Sequence, residues 1–191
     1  MSTFGGTTRV ALTVLAVALA SSSALAEEAP IRRARRAFAL GEFGWNSLAG
    51  MGANAGYHVL PHLTAEAGFG FSLVRWKLGA RLRANLLEGA WTPFVAAGAM
   101  ISTGESTEQI FPVGGGRIAY TIRPSPFAQL VAGVDFTAED GVTFLATLGW
   151  AFLLSPNVDV ASGLPSPTQQ RYLDLAFGSG PVAAIALGYS F

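Results

Sequence analysis

Apolar and polar positions alternate along most of this chain with a period of two, the pattern of a half-buried strand. The segment starting at Arg75 is the clearest. Trp76, Leu78, Ala80, Leu82, Ala84 and Leu86 fall on one face, and Arg75, Lys77, Gly79, Arg81, Arg83 and Asn85 on the other. From about Leu63 to Phe71, Ala65, Ala67, Phe69 and Phe71 oppose Thr64, Glu66, Gly68 and Gly70. Further on, Val142, Phe144, Leu148, Trp150 and Phe152 oppose Thr143, Thr147 and Gly149. Similar segments run from about Phe38 to Trp45, Gly50 to Val59, Pro93 to Ile101 and Phe127 to Phe136, and the chain ends on VAAIALGYSF, Val182 to Phe191. Eight strands of about ten residues are therefore expected.

Turn residues punctuate these segments at Pro61, Glu88-Gly89 and Glu139-Asp140-Gly141. Two connections are longer, about 102–126 and 154–180. In an up-and-down order the three short turns share one end of the structure and both long connections the other. That asymmetry is characteristic of transmembrane β-barrels, which join strands by short turns inside and long loops outside. Gly114-Gly115-Gly116 lacks the lysine and helix of a phosphate-binding loop and belongs to the first long connection. In the second, Ser166, Pro167 and Gly178 fit the cap, first turn and stop of a short helix. An extension of the last strand fits that segment equally well.

Polarity decides which face points where. A soluble barrel turns its apolar face inward; a membrane barrel turns it to lipid. Arg or Lys on the lipid face would cost about 2–4 kcal/mol at the bilayer midplane, so the charged face of the Arg75 segment must line the interior. The soluble alternative, a lipocalin-like barrel, would carry many surface lysines, and this chain has only Lys77. The inward set then includes Glu42, Asn54, Glu66, Arg81, Arg83, Gln129 and Asp135. A hairpin turning near Val74 brings Glu66 beside Arg81 and Arg83, with Asp135 at a similar height. Eight strands leave an interior just wide enough for side chains, and charges buried there must be paired. Glu42, Glu66, Arg81, Arg83 and Asp135 are expected to form an ion-pair plug, in preference to a polar conduit or a catalytic carboxylate pair. Aromatic residues divide between the two ends, with Trp45, Trp76, Trp150 and Phe152 at the outer one and Tyr57, Trp91, Tyr189 and Phe191 at the other. Two aromatic belts are expected at the two interfaces of a membrane barrel.

Composition narrows the picture. Hydrophobic residues make up 51% of the chain and charged residues 13%, with 23 glycines and no cysteine. The absence of cysteine removes disulfides and thiolate chemistry. A formal net charge of zero gives nucleic-acid binding no electrostatic support. At the N-terminus, Arg9 precedes the apolar run VALTVLAVALA, then SSSALA and EEAP. These are the parts of a secretory signal peptide over residues 1–26, cleaved after Ala26. Residues 27–36, with Arg32, Arg33, Arg35 and Arg36, follow as an arm that is solvated or rests on anionic headgroups. The two histidines, His58 and His62, fall at the end opposite the long loops. They make a poor metal site and lie far from where a lipid A-modifying enzyme would need one.

The terminal strand resembles that of bacterial outer-membrane barrel families, in Phe191 with Tyr189, Leu187 and Ile185 at alternate positions before it. The resemblance implies that Phe191, Tyr189 and Leu187 form the signal read by the barrel assembly machinery. The chain after residue 26 resembles small eight-stranded barrels of the OmpA-like and OmpX-like kind. What this implies is an all-β, eight-stranded antiparallel up-and-down transmembrane barrel over residues 37–191 in the outer membrane of a Gram-negative bacterium. It carries no catalytic residue, cofactor or metal across. The expected role is structural, or an interaction of the external loops with an extracellular ligand or surface partner, with membrane lipid as the surroundings. A narrow pore or a lipid-handling barrel is the alternative, and a lipid A-modifying enzyme a more distant one.

Overall fold

A computed structural model describes residues 31–111, 118–162 and 166–191. The expected signal peptide and Gly114-Gly115-Gly116 lie outside the described residues. Eight long antiparallel strands close into a barrel. In chain order they are β1 (Ala37–Trp45), β2 (Met51–Leu60), β3 (Leu63–Ser72), β4 (Arg75–Asn85), β5 (Trp91–Ser102), then β8 (Ser125–Thr137), β9 (Val142–Leu153) and β11 (Gly180–Ser190). Each pairs with the next, and β1 pairs with β11 to close the ring. The closing register runs from Phe38 opposite Ser190 to Trp45 opposite Ala183, and the Phe191 N–H donates to the Ala37 carbonyl at 2.7 Å.

The alternation seen in the sequence becomes the two sides of the wall. Along β4 every second residue from Lys77 to Asn85 is buried and the residues between are exposed. The exterior is apolar: Leu148 is 68% exposed and Leu187 61%, with Phe69, Leu78, Leu82, Val95, Leu130 and Ile185 in the same band. Trp45, Trp76 and Trp150 lie near one end of this band, and Tyr57, Trp91 and Tyr189 near the other. Tyr189 pairs with Val142, and Trp150 lies further along the same strand. The two are separated by about 27 Å of strand at about 3.4 Å per residue, or about 20 Å along the barrel axis at the usual strand tilt.

The two ends differ. At the terminal end, short turns join β2 to β3, β4 to β5 and β8 to β9, and the segment before β1 forms one helical turn, α1 (Ile31–Ala34). At the other end, the long connections are not loops throughout. The first contains β6 (Glu105–Phe111) and β7 (Ile118–Ile122), and the second β10 (Val158–Ser162). These form a separate three-stranded antiparallel sheet in the order β10-β7-β6. The connection of about 102–126, expected as a long loop, thus carries strands of its own. The alternating IAYTI of β7 carried that signal in a stretch otherwise read from its glycines.

The second long connection also contains a helix, α2 (Pro167–Phe177), and not an upward extension of the last strand. Ser166 caps it: its side chain accepts from the Gln169 N–H, the Gln169 side chain accepts from the Ser166 N–H, and Pro167 opens the first turn. This reciprocal capping box satisfies two backbone donors that an uncapped helix leaves open. Leu173 and Phe177 of α2 meet Tyr120 and Ile122 of β7 and Val74 of the β3–β4 turn in a small apolar cluster. Among the described residues no helix is long and apolar enough to cross a membrane; a β-barrel crosses with strands.

Candidate functional site

The lumen is the most distinctive chemical environment of this barrel, and it is divided. The wall made by β2, β3 and β4 presents Asn54, His58, Thr64, Glu66, Lys77, Arg81, Arg83 and Asn85, all buried. The facing wall presents Phe94, Ala96 and Met100 of β5, Phe127 and Val131 of β8, Leu145 and Ala151 of β9, and Val182 and Ala186 of β11. Phe38 and Leu40 of β1 belong to this apolar cluster.

On the polar wall, strand register determines the contacts. Glu66 stands directly opposite Arg81 on adjacent strands. Arg81 Nε and Nη2 each donate to the Glu66 carboxylate at 2.9 Å, the two-point geometry that makes Arg–carboxylate pairs the strongest of their kind. Arg83, two residues along the same face, reaches past β5 to Asp135 of β8, with Nη2 3.2 Å from Oδ2. Its guanidinium also lies 5.3 Å from the centre of the Phe38 ring and 5.1 Å from that of Phe94. Both distances suit attraction of a cation to an aromatic face.

Among the described residues Glu42 has no ion-pair partner, contrary to expectation. Its carboxylate accepts from the Ala49 N–H and from Asn54 Nδ2. Glu42 therefore holds the β1–β2 turn in place. That turn folds into the barrel mouth, where Ser47, Leu48 and Ala49 are wholly buried. Gly68 and Gly79 make the room: a Cβ on Gly68 would come 2.9 Å from Leu48 Cγ, and one on Gly79 would come 2.6 Å from Leu48 Cδ1. Gln129 Nε2 donates to the Asn46 carbonyl and ties the turn to the opposite wall.

The terminal end is filled by Arg32. The sequence suggested a solvated arm here, yet Arg32 is 1% exposed. It donates from Nη1 to the Gly89 carbonyl at 2.6 Å and places Nη2 3.6 Å from Asp135. Its neighbour Arg33 stays outside, within 3.9 Å of Glu88, and Arg35 donates to the carbonyls of Glu139 and Ser190. The arm thus clamps the end of the barrel.

Four buried cations, Arg32, Lys77, Arg81 and Arg83, face three buried carboxylates, Glu42, Glu66 and Asp135. Several donors lack hydrogen-bond partners among the described residues, including Arg81 Nη1 and Arg83 Nε and Nη1. His58 shares a 2.8 Å hydrogen bond with Thr64 Oγ1, which also accepts from Asn85 Nδ2. His62 lies in the β2–β3 turn, 2.9 Å from Glu88. Among the described residues no group of three or more acidic, histidine or cysteine side chains could hold a metal ion.

The aromatic residues Trp45, Trp76, Trp150 and Phe152, and Tyr57, Trp91, Tyr189 and Phe191, are all exposed on the exterior. Trp76 stacks on Phe69 at 5.2 Å, Trp91 meets Phe136 at 4.6 Å, and the Tyr189 hydroxyl donates to the Asp140 carbonyl. Comparison with models of protein families, with curated proteins and with solved structures finds no match to this chain.

Arg32 and Leu48 are the site residues that sequence reasoning missed. Leu48 had a faint signal, an apolar residue inside a turn. Arg32 had none, because nothing separates it in the sequence from its three neighbouring arginines.

Proposed function

We propose that this chain is a bacterial outer-membrane β-barrel, exported by a signal peptide cleaved after Ala26, whose plugged lumen makes it structural rather than conductive or enzymatic. The observation that carries this reading is the inverted polarity of the wall. Large apolar side chains cover the outside of the barrel while arginines, carboxylates and amides lie inside. In water such an exterior would be a far larger apolar patch than monomeric soluble proteins expose; in a bilayer it is the required surface. The exposed aromatic residues near both ends of the band support the same placement.

The lumen favours a plug over a pore. Leu48 and Arg32 occupy its two ends, and the middle is taken by side chains paired with one another. Work done by the protein then falls to the unit formed by β6, β7, β10 and α2. That unit carries exposed apolar side chains, Ile110, Val160, Tyr172 and Leu175, suited to contact with a surface partner.

The test is reconstitution of purified protein into planar bilayers and vesicles, with folding followed by heat-modifiable gel mobility. The expected result is a folded, membrane-inserted barrel without steady single-channel conductance. Discrete, stable conductance would replace the plug with a pore. Recovery of the folded protein in the soluble fraction of cells, without detergent, would overturn the membrane placement.

A further inference from the structure

At the loop end, between the barrel and the unit above it, lies a cavity of about 260 Å³. This is close to the lower end of the range for small-molecule sites, about 300–1,000 Å³. Its side wall is made by exterior residues of the first three strands, Phe43, Met51 and Phe71. Those residues belong to the exposed apolar surface, so the cavity is continuous with it. Phe177 of α2 also lines it. Its inner end belongs to the lumen, where Lys77 and Ser102 face each other across the β4–β5 pairing.

Both polar side chains are buried with bonding capacity that the described residues leave unfilled. Lys77 is 3% exposed and Ser102 0%. Ser102 Oγ has no hydrogen-bond partner among the described residues. No carboxylate of the described residues lies within salt-bridge reach of Lys77 Nζ. The nearby Glu42 carboxylate is engaged by Ala49 and Asn54. Among the described residues the amine faces the Phe127 ring, 5.9 Å from its centre. A buried polar group without a partner costs free energy that a ligand can recover. An ammonium and a hydroxyl at the end of an apolar passage match a headgroup of anionic oxygens on an acyl chain.

We propose that this cavity binds the anionic end of a single-chain amphiphile, a long-chain carboxylate, entering from the apolar exterior between the ends of β1–β3 and the C-terminal turn of α2. The headgroup oxygens accept from Lys77 Nζ and Ser102 Oγ, and the chain lies along Phe43, Met51 and Phe71. The site rests on the membrane placement proposed above. An anionic lipid headgroup offers the same chemistry as a free fatty acid, and the two sources are separated by competition.

The experiment uses the full chain in phosphatidylcholine vesicles with three photoactivatable probes: diazirine-labelled palmitic acid, its methyl ester, and diazirine-labelled phosphatidylcholine. Crosslinked peptides are located by mass spectrometry. The acid is expected to label the Phe43–Met51 and Phe71 segments about ten-fold above the ester, the size of effect a lost charged hydrogen bond produces. In Lys77→Met that excess disappears, while Lys77→Arg retains it. Unlabelled palmitate competing alone identifies a fatty acid, and phosphatidate competing identifies a lipid headgroup. Equal labelling by acid and ester in the native protein, a comparison needing no variant to fold, would overturn the proposal. So would competition by neither. The phosphatidylcholine probe reads membrane placement independently, through labelling around Leu82 and Leu148. Its failure there would strike the membrane reading and not the cavity alone.

Discussion

The two halves of the lumen solve the same filling problem by opposite means. On β2–β4 the space is occupied by long charged and amide side chains held by directed contacts. On β5, β8, β9 and β11 most of it is occupied by Phe94, Met100, Phe127, Val131, Leu145 and Val182, held by close packing, with Asp135, Gln129 and a few hydroxyls set among them. The apolar half gains from every atom it buries and tolerates small errors of position. The polar half contributes only if each charge keeps its partner, since desolvating an ion costs more than a loose pairing returns. Arg83 joins the two, with its charge satisfied by Asp135 and its flat faces against Phe38 and Phe94. An interior of this kind is specified by its polar half and cushioned by its apolar half.

The contrast can be broken most severely at Asp135, a carboxylate that two arginines share. Asp135→Ala leaves Arg83 and Arg32 without a buried counter-charge. The expected loss is at the upper end of the about 3–5 kcal/mol for breaking a buried pair, read as a lower urea midpoint for loss of the heat-modifiable folded band. Glu66→Ala removes both hydrogen bonds to Arg81 and is expected to cost about 3 kcal/mol. Adding Arg81→Ala should recover part of that loss, because the double variant has no orphaned charge. An unchanged midpoint in Glu66→Ala would show that the polar half is not held by its pairs.

The apolar half predicts a different response. Leu145→Ala, on the inner face of β9, is expected to cost about 2–4 kcal/mol by leaving a cavity. Glu66→Ala should add to it without coupling, since those two sites share no partner. A coupling energy well above about 0.5 kcal/mol in the double-mutant cycle with Glu66→Ala would mean that the two halves are not independent.

The smallest effect lies outside the barrel. Arg75 donates to Glu105 at the start of β6, and that hydrogen bond, helped by the Thr107 N–H, holds the Glu105 carboxyl below its ordinary range. A carboxyl lowered on folding stabilises above its unfolded value, near 4.3, and loses that contribution as pH falls through the folded value. The protection factors of the β6 and β7 amides, corrected for the intrinsic exchange rate, should therefore fall on acidification below about pH 4.3. Glu105→Gln should remove that pH dependence while leaving the barrel amides unchanged. Protection factors in β6 that fall equally with pH in the variant would assign the effect elsewhere.

Much of this barrel was legible in the sequence because strand alternation is a local property. Whether Leu82 points outward and Arg83 inward follows from their being neighbours on one strand. The eight strands, their order, the short turns at one end and the position of the hairpin at Leu73-Val74 all follow from such local signals. The pairing of Glu66 with Arg81 was within reach for the same reason, since a two-residue turn dictates the register of its hairpin.

What only the tertiary structure decided involves residues far apart in the chain. Asp135 meets Arg83 and Arg32 because β5 pairs with both β4 and β8, across a long connection, and the N-terminal arm folds over the end of the barrel. The sheet of β6, β7 and β10 unites two connections that the sequence shows only as separate long loops. Leu48 enters the lumen because Gly68 and Gly79, on two other strands, leave the space. Lys77 and Ser102 become the inner end of a cavity only when α2 settles over the barrel mouth. Period-two patterning tells which side of a wall a residue occupies, but not what stands on the far side of the space it faces. That depends on closure, register and strand tilt acting together.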